Sequence, residues 1–177
     1  MNKFILQILT VVAFFSPLLA QAQQVKMRMA GVAYWSDEAN TNQDSLDGVV
    51  SRWYGNGTFG KYEAADQFDQ VAWDGRYCDA DQKLSEVDVD GTTMVFTFEN
   101  GTQLYAKQNP DANSQICFNG ADGSSTYDIY LDVVGGTGRF AGATGSLRVH
   151  GPGQQLQVGH SAFQGTTEGD VILANHR

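Results

Sequence analysis

The sequence predicts an all-β domain, either a sandwich or a closed barrel. Three observations predict it. Short runs of alternating apolar and polar residues follow one another along the chain, with Gly, Asn and Asp between them. Only three prolines occur in 177 residues. No stretch keeps a helical apolar period for long enough to make a helix.

The first segment, "MNKFILQILTVVAFFSPLLAQAQQ", reads differently. Lys3 supplies a short positive start, residues 4–15 are almost wholly apolar, and Ser16-Pro17 ends any helix. Ala20-Gln21-Ala22 then places small residues where a signal peptidase cuts. Residues 1–22 are expected to be a cleaved secretory signal, and the chain to be exported, periplasmic or extracellular. A membrane anchor would need about 20 apolar residues without a proline near their end. Cleavage after Ala22 leaves 155 residues, enough for one domain with a real core. It also removes Lys3 and takes the net charge from −9 to −10. A chain this acidic is expected to bind neither nucleic acid nor an anionic membrane surface, because both demand clustered Lys and Arg.

The elements follow in order. Residues 23–47 hold a first strand, "VKMRM" (25–29), and the polar stretch "SDEANTNQDSLDG" (36–48), which reads as a loop. Residues 48–177 form the remainder of the single domain. "GVVSRWYGNGTFGKYEAA" (48–65) is aromatic-rich with glycine breaks, and "QVAWDGRYC" (70–78) follows. "TTMVFTFENGTQLYA" (92–106) is the clearest element. Asn100-Gly101 predicts a two-residue hairpin turn, since that turn needs positive φ at both central residues. The pairing it implies sets Phe98 opposite Gln103 and Phe96 opposite Tyr105. Met94, Phe96, Phe98 and Tyr105 then share one face, and Val95, Thr97, Leu104 and Ala106 the other. After a polar loop (108–115) come "ICF" (116–118), "TYDIYLDVV" (126–134), "GSLRVHG" (145–151), "LQVGHSAF" (156–163) and "GDVIL" (169–173), each read as a strand.

Cys78 and Cys117 are the only cysteines. An even count in an exported chain predicts a disulfide between them. Neither lies in a C-x-x-C pair, which removes the usual sequence mark of redox chemistry.

"LDVVGGTGRFAG" (131–142) has the glycine spacing of a dinucleotide-binding fingerprint, but its context fails. The fingerprint must end a strand, open a helix and find an acidic residue about 20 positions on. The glycines that follow make a poor helix, and residues 133–167 contain no Asp or Glu. The conformational reading takes its place: Gly135, Gly136, Gly138, Gly142 and Gly145 make a tight, irregular corner of the kind a closing barrel needs. Phe140 would then plug an end of the core, and Arg139 would tie the turn to a carboxylate.

Four blocks together carry a resemblance. "GNGTFGKYE" (55–63), "FTFENGTQLYA" (96–106), "GGTGRFAGATG" (135–145) and "SAFQGTTEGDVIL" (161–173) look like the secreted bacterial branch of the allene oxide cyclase-like and dirigent-like proteins. The resemblance covers most of residues 48–173. It implies an eight-stranded antiparallel barrel of the calycin type with an internal cavity. The wider group guides ring closures or couplings of small apolar substrates, mostly by shaping them, and its members form dimers or trimers, so a homo-oligomer is compatible with it.

Chemical motifs are few. No G-x-S-x-G elbow marks a serine hydrolase. His150, His160 and His176 lack zinc-site spacing, and Asp79, Asp81, Asp88 and Asp90 lack that of a calcium loop, so no metal and no cofactor is expected. Asn56-Gly57-Thr58 and Asn100-Gly101-Thr102 match glycosylation sequons but read as turn chemistry. The interior is left as the place for function. Tyr105, Phe96, Phe98, Arg148 and His150 are the candidates for a ligand cavity. Arg148 facing inward would anchor a ligand. Facing outward it is a solvated charge, the reading favoured by the cost of burying an unpaired charge. Three functions stay open: a carrier of a small apolar ligand, a cofactor-free cyclase or isomerase of dirigent type, and an interaction protein with a filled barrel.

Overall fold

The computed structural model describes residues 22–36, 39, 48–70 and 75–174. The signal-peptide reading, most of the loop over 36–48, and His176 lie outside the described residues. Among the described residues there are nine strands: β1 (Ala22–Ser36), β2 (Gly48–Gly57), β3 (Gly60–Gln70), β4 (Ser85–Phe98), β5 (Gln103–Gln108), β6 (Gln115–Phe118), β7 (Ser124–Gly136), β8 (Thr144–Gln157) and β9 (His160–Ile172). All pair antiparallel. β9 pairs with β1 and β3 with β4, so the sheet closes into an eight-stranded barrel with one extra strand.

The extra strand comes from a split. β5 pairs with the C-terminal part of β4 and β6 with its N-terminal part, and both also pair with β7. They fill one slot, interrupted over residues 109–114. The interruption follows from "NPDANS", where Pro110 has no N–H to give and the Asn109 side chain accepts the Asp111 N–H. Gln108 bridges the gap: its amide accepts from the Thr92 N–H at 3.1 Å and donates to the Val89 carbonyl at 2.6 Å.

Alternation decides which residues fill the interior. Val25, Met27, Met29 and Ala33 point inward from β1, and Tyr62, Ala64, Asp66 and Phe68 from β3. Several inward glycines make room for rings. A Cβ on Gly165 would stand 2.1 Å from the Tyr127 hydroxyl, and one on Gly151 2.9 Å from it. Tyr127 can therefore lie across β8 and β9 and donate to the Gln164 carbonyl at 2.9 Å.

One end of the barrel is shut by aromatic rings that the turns supply. Phe59 comes from the β2–β3 turn, Phe98 from the end of β4, and Phe140 from a single 3-10 turn (Gly138–Phe140) between β7 and β8. Their ring centroids lie 5.0–5.7 Å apart, and Phe140 is wholly buried. Each such buried ring contributes about 1.5–3 kcal/mol. Among the described residues, Arg139 does not tie this turn to a carboxylate. Its guanidinium donates to the Phe59 carbonyl at 3.1 Å and lies over all three rings, 4.7–5.5 Å from their centroids. Gly135, Gly138, Gly142 and Gly145 take positive φ, whereas Gly136 does not. Gly136 is needed for closeness instead, since its Cβ would meet the Gln103 carbonyl oxygen at 2.1 Å.

Three expected elements differ. The loop after β4 is longer than a two-residue turn: Gly101 N–H donates to the Phe98 carbonyl and Phe98 N–H to the Thr102 carbonyl. Only Gly101 has positive φ, while Asn100 uses its side chain to hold Thr102. The register becomes Phe96 opposite Leu104 and Val95 opposite Tyr105. A slip of one residue exchanges the faces. Leu104 and Ala106 thus join Met94, Phe96 and Phe98 in the core, and Tyr105 turns outward. "LQVGHSAF" is not one strand, because Val158-Gly159 turns the chain between β8 and β9, with Gly159 at φ 75°. "QVAWDGRYC" contributes only Gln70 to β3 and an isolated Tyr77–Ser85 bridge; residues 71–74 lie outside the described ones.

Candidate functional site

Among the described residues, no ring plug fills the opposite end of the barrel. A cavity of about 230 Å³ lies there, walled by the C-terminal ends of β1, β3 and β8, the N-terminal ends of β2, β4, β7 and β9, and β6. Its apolar wall includes Val49, Phe68, Val87, Ile116, Phe118 and Phe163. Gln70, Ser125, Gln155 and Ser161 add neutral hydrogen-bonding groups, and no charged side chain lines it among the described residues. Trp35 stands at the rim, its backbone N–H donating to the Gly159 carbonyl at 3.0 Å.

Beneath this cavity lies a buried carboxyl. The Val49–Phe68 pair lines the cavity, and Ser51–Asp66 is the next inward pair on the same two strands. Two residues along a strand is about 7 Å. The Asp66 carboxylate accepts from the Ser51 hydroxyl through Oδ1 and from Trp53 Nε1–H through Oδ2 at 3.2 Å. Burial pushes Asp66 up to about 6, against smaller opposing effects of these hydrogen bonds. The Trp53 ring stacks on Phe163 at 5.3 Å, and Tyr127 meets both edge-on. Burial, followed by the nearby Asp66 charge, holds the Tyr127 phenol well above the usual tyrosine range.

The residues expected to line a cavity fall elsewhere. Phe96 and Phe98 are inside the barrel but away from the cavity, Phe96 packed against Tyr62 and Phe98 in the plug with Phe59 and Phe140. Tyr105 is on the outer face, donating to the Gln103 side chain at 2.8 Å. Arg148 and His150 are outside too. Arg148 makes a two-pronged pair with Asp128 at 2.7 and 2.8 Å, and His150 meets Glu168 at 3.2 Å. Asp128 is held below the usual carboxylate range chiefly by its hydrogen bond from Arg148. Cys78 and Cys117 form the disulfide, which fastens β6 to the segment before β4. The acidic run is likewise engaged locally: Asp79 caps a turn through Lys83 and Leu84 N–H groups, and Asp88 pairs with Arg76.

Ser51, Trp53, Asp66, Phe68 and Phe163 escaped the sequence reading. A signal was present, because Asp66 stands in the apolar phase of Tyr62-Ala64-Asp66-Phe68. A polar residue in phase with a buried face marks either an error or a function. The chain matches no protein-family model and no curated protein.

Proposed function

We propose that this chain is an exported carrier barrel whose cavity holds a small, uncharged, largely apolar or aromatic molecule. The observation that carries the reading is the cavity wall: aromatic and aliphatic side chains with a few neutral polar groups, the composition of a ligand site rather than of a filled core. An apolar cavity of about 150 Å³ already takes benzene. One of about 230 Å³ suits a ligand of one or two rings. The resemblance to allene oxide cyclase-like barrels supports the same use of the interior. A dirigent-type cyclase is the weaker reading, because neither of the buried acids among the described residues, Asp66 and Asp69, lies in the cavity wall. The disulfide supports export, since such bonds persist outside the reducing cytosol.

Fluorescence titration with N-phenyl-1-naphthylamine, a neutral two-ring probe, tests this. The parent protein is expected to bind it, and Ser161→Phe, which fills the cavity, to weaken binding by at least about tenfold. Arg148→Ala on the outer face should leave it unchanged. Equal binding by the Ser161→Phe and parent proteins would place the probe elsewhere and overturn the reading.

A further inference from the structure

We propose that Asp66 is a proton-operated control on the cavity, so that ligand is held more tightly when its carboxyl carries a proton. The inference rests on the cavity being the ligand site and adds its regulation.

The geometry supplies the coupling. Asp66 lies one inward layer below the cavity wall, and its Oδ2 holds the indole of Trp53, which stacks on the Phe163 ring in that wall. A ligand above it replaces water and so deepens the desolvation of the carboxylate. Burial penalises the charged form, so an occupied cavity favours the neutral one. By linkage, whatever raises the proton affinity on ligand binding makes ligand affinity fall as pH rises.

Among the described residues, the side chains packed around Asp66 assign the effect to it. Among the described residues, the titratable groups that face it are Tyr62 on its own strand and Tyr127 on β7, and burial holds both phenols above the usual range. Tyr62 donates to the Arg28 carbonyl and Tyr127 to that of Gln164. From β2 it meets Ser51 and Trp53, and across the β4 pairing it faces Met94. β1 presents Met27, Met29 and Ala33, and β9 Phe163 and Thr167, none of which titrates. Asp69 lies beyond the β3 bulge, where its Oδ1 accepts the Gln70 N–H. Protonated Asp66 can donate to the Ser51 hydroxyl, which accepts as well as donates, while its other oxygen goes on accepting from the Trp53 indole N–H.

The test is N-phenyl-1-naphthylamine binding from about pH 4.5 to about pH 8, where the probe itself does not ionise and Asp66 does. The parent affinity is expected to fall by roughly tenfold, equivalent to a tenfold gain in the carboxyl's proton affinity when the cavity fills. Asp66→Asn, whose amide can satisfy both Ser51 and Trp53, should bind the probe with a flat profile. Calorimetry in two buffers of different ionisation enthalpy should show proton uptake by the parent near pH 6, and that measurement needs no variant. A flat parent profile without proton uptake, or an Asp66→Asn protein that keeps the slope, overturns the control while leaving the carrier intact. A parent that binds no probe at any pH overturns the carrier reading and the control with it.

Discussion

A carboxyl in an apolar layer sets a direction for the stability of the whole protein. Asp66 has its folded-state pKa raised from 3.8 to about 6, so folding favours the neutral acid. The stabilisation is complete below the unfolded value and is lost as pH rises through about 6. A proton bound roughly a hundredfold more tightly in the folded protein corresponds to about 3 kcal/mol. Urea unfolding of Asp66→Asn should therefore match the parent near pH 4 and exceed it by up to about 3 kcal/mol near pH 8. A parent stability that rises across this window would contradict the assignment. The outer Arg148–Asp128 pair behaves differently, because half-exposed charges are screened and contribute at most about 1 kcal/mol. These two carboxylates show what sequence can and cannot convey about a residue. Asp128 lies on the polar phase of its strand and Asp66 on the apolar phase of its own, so the phase is legible. Which phase faces a cavity is not, because that depends on where the opposite wall lies.

At the level of elements, the register of one hairpin decided which side chains entered the core. "ENGT" announces a turn, but a two-residue and a three-residue loop place Leu104 and Tyr105 on opposite faces, and both are compatible with Asn100-Gly101. The glycine corner was easier to read. Positive φ occurs at four of its five expected positions, and the fifth is a close approach. Two of these glycines separate the causes. Gly135 has φ 125° with open space where a Cβ would go, whereas a Cβ on Gly145 at φ 138° would lie 2.0 Å from the Asp170 carbonyl oxygen. Both Ala substitutions should destabilise, Gly145→Ala by clearly more than the roughly 1–2 kcal/mol of conformational strain alone, as read from thermal midpoints. Closing a loop of 39 residues, the disulfide should contribute about 4 kcal/mol in the chain-entropy model. Denaturation with and without reductant checks this, and an unchanged midpoint would contradict it.

For the molecule as a whole, the barrel is polarised: rings packed shut at one end, an apolar cavity at the other. The all-β class was legible because alternation, turn residues and the absence of helical period agree with one another, whereas the closed barrel was expected only from the family resemblance. The polarity was legible only at Phe140, expected to plug an end of the core; Phe59 lies in a distant turn and Phe98 at the end of β4, and nothing local says that the three meet. That plug has a kinetic consequence. Its members are separated by about 40 residues each, so β3 must pair with β4, and β5 with β4 and β7, before all three rings can meet. The plug belongs on the native side of the folding barrier. Phe140→Ala should cost about 3–5 kcal/mol, with nearly all of it appearing as faster unfolding and little as slower refolding in a chevron experiment. The ring that seals the closed end would then act as a latch on the lifetime of the folded protein, with little say in how fast it is reached.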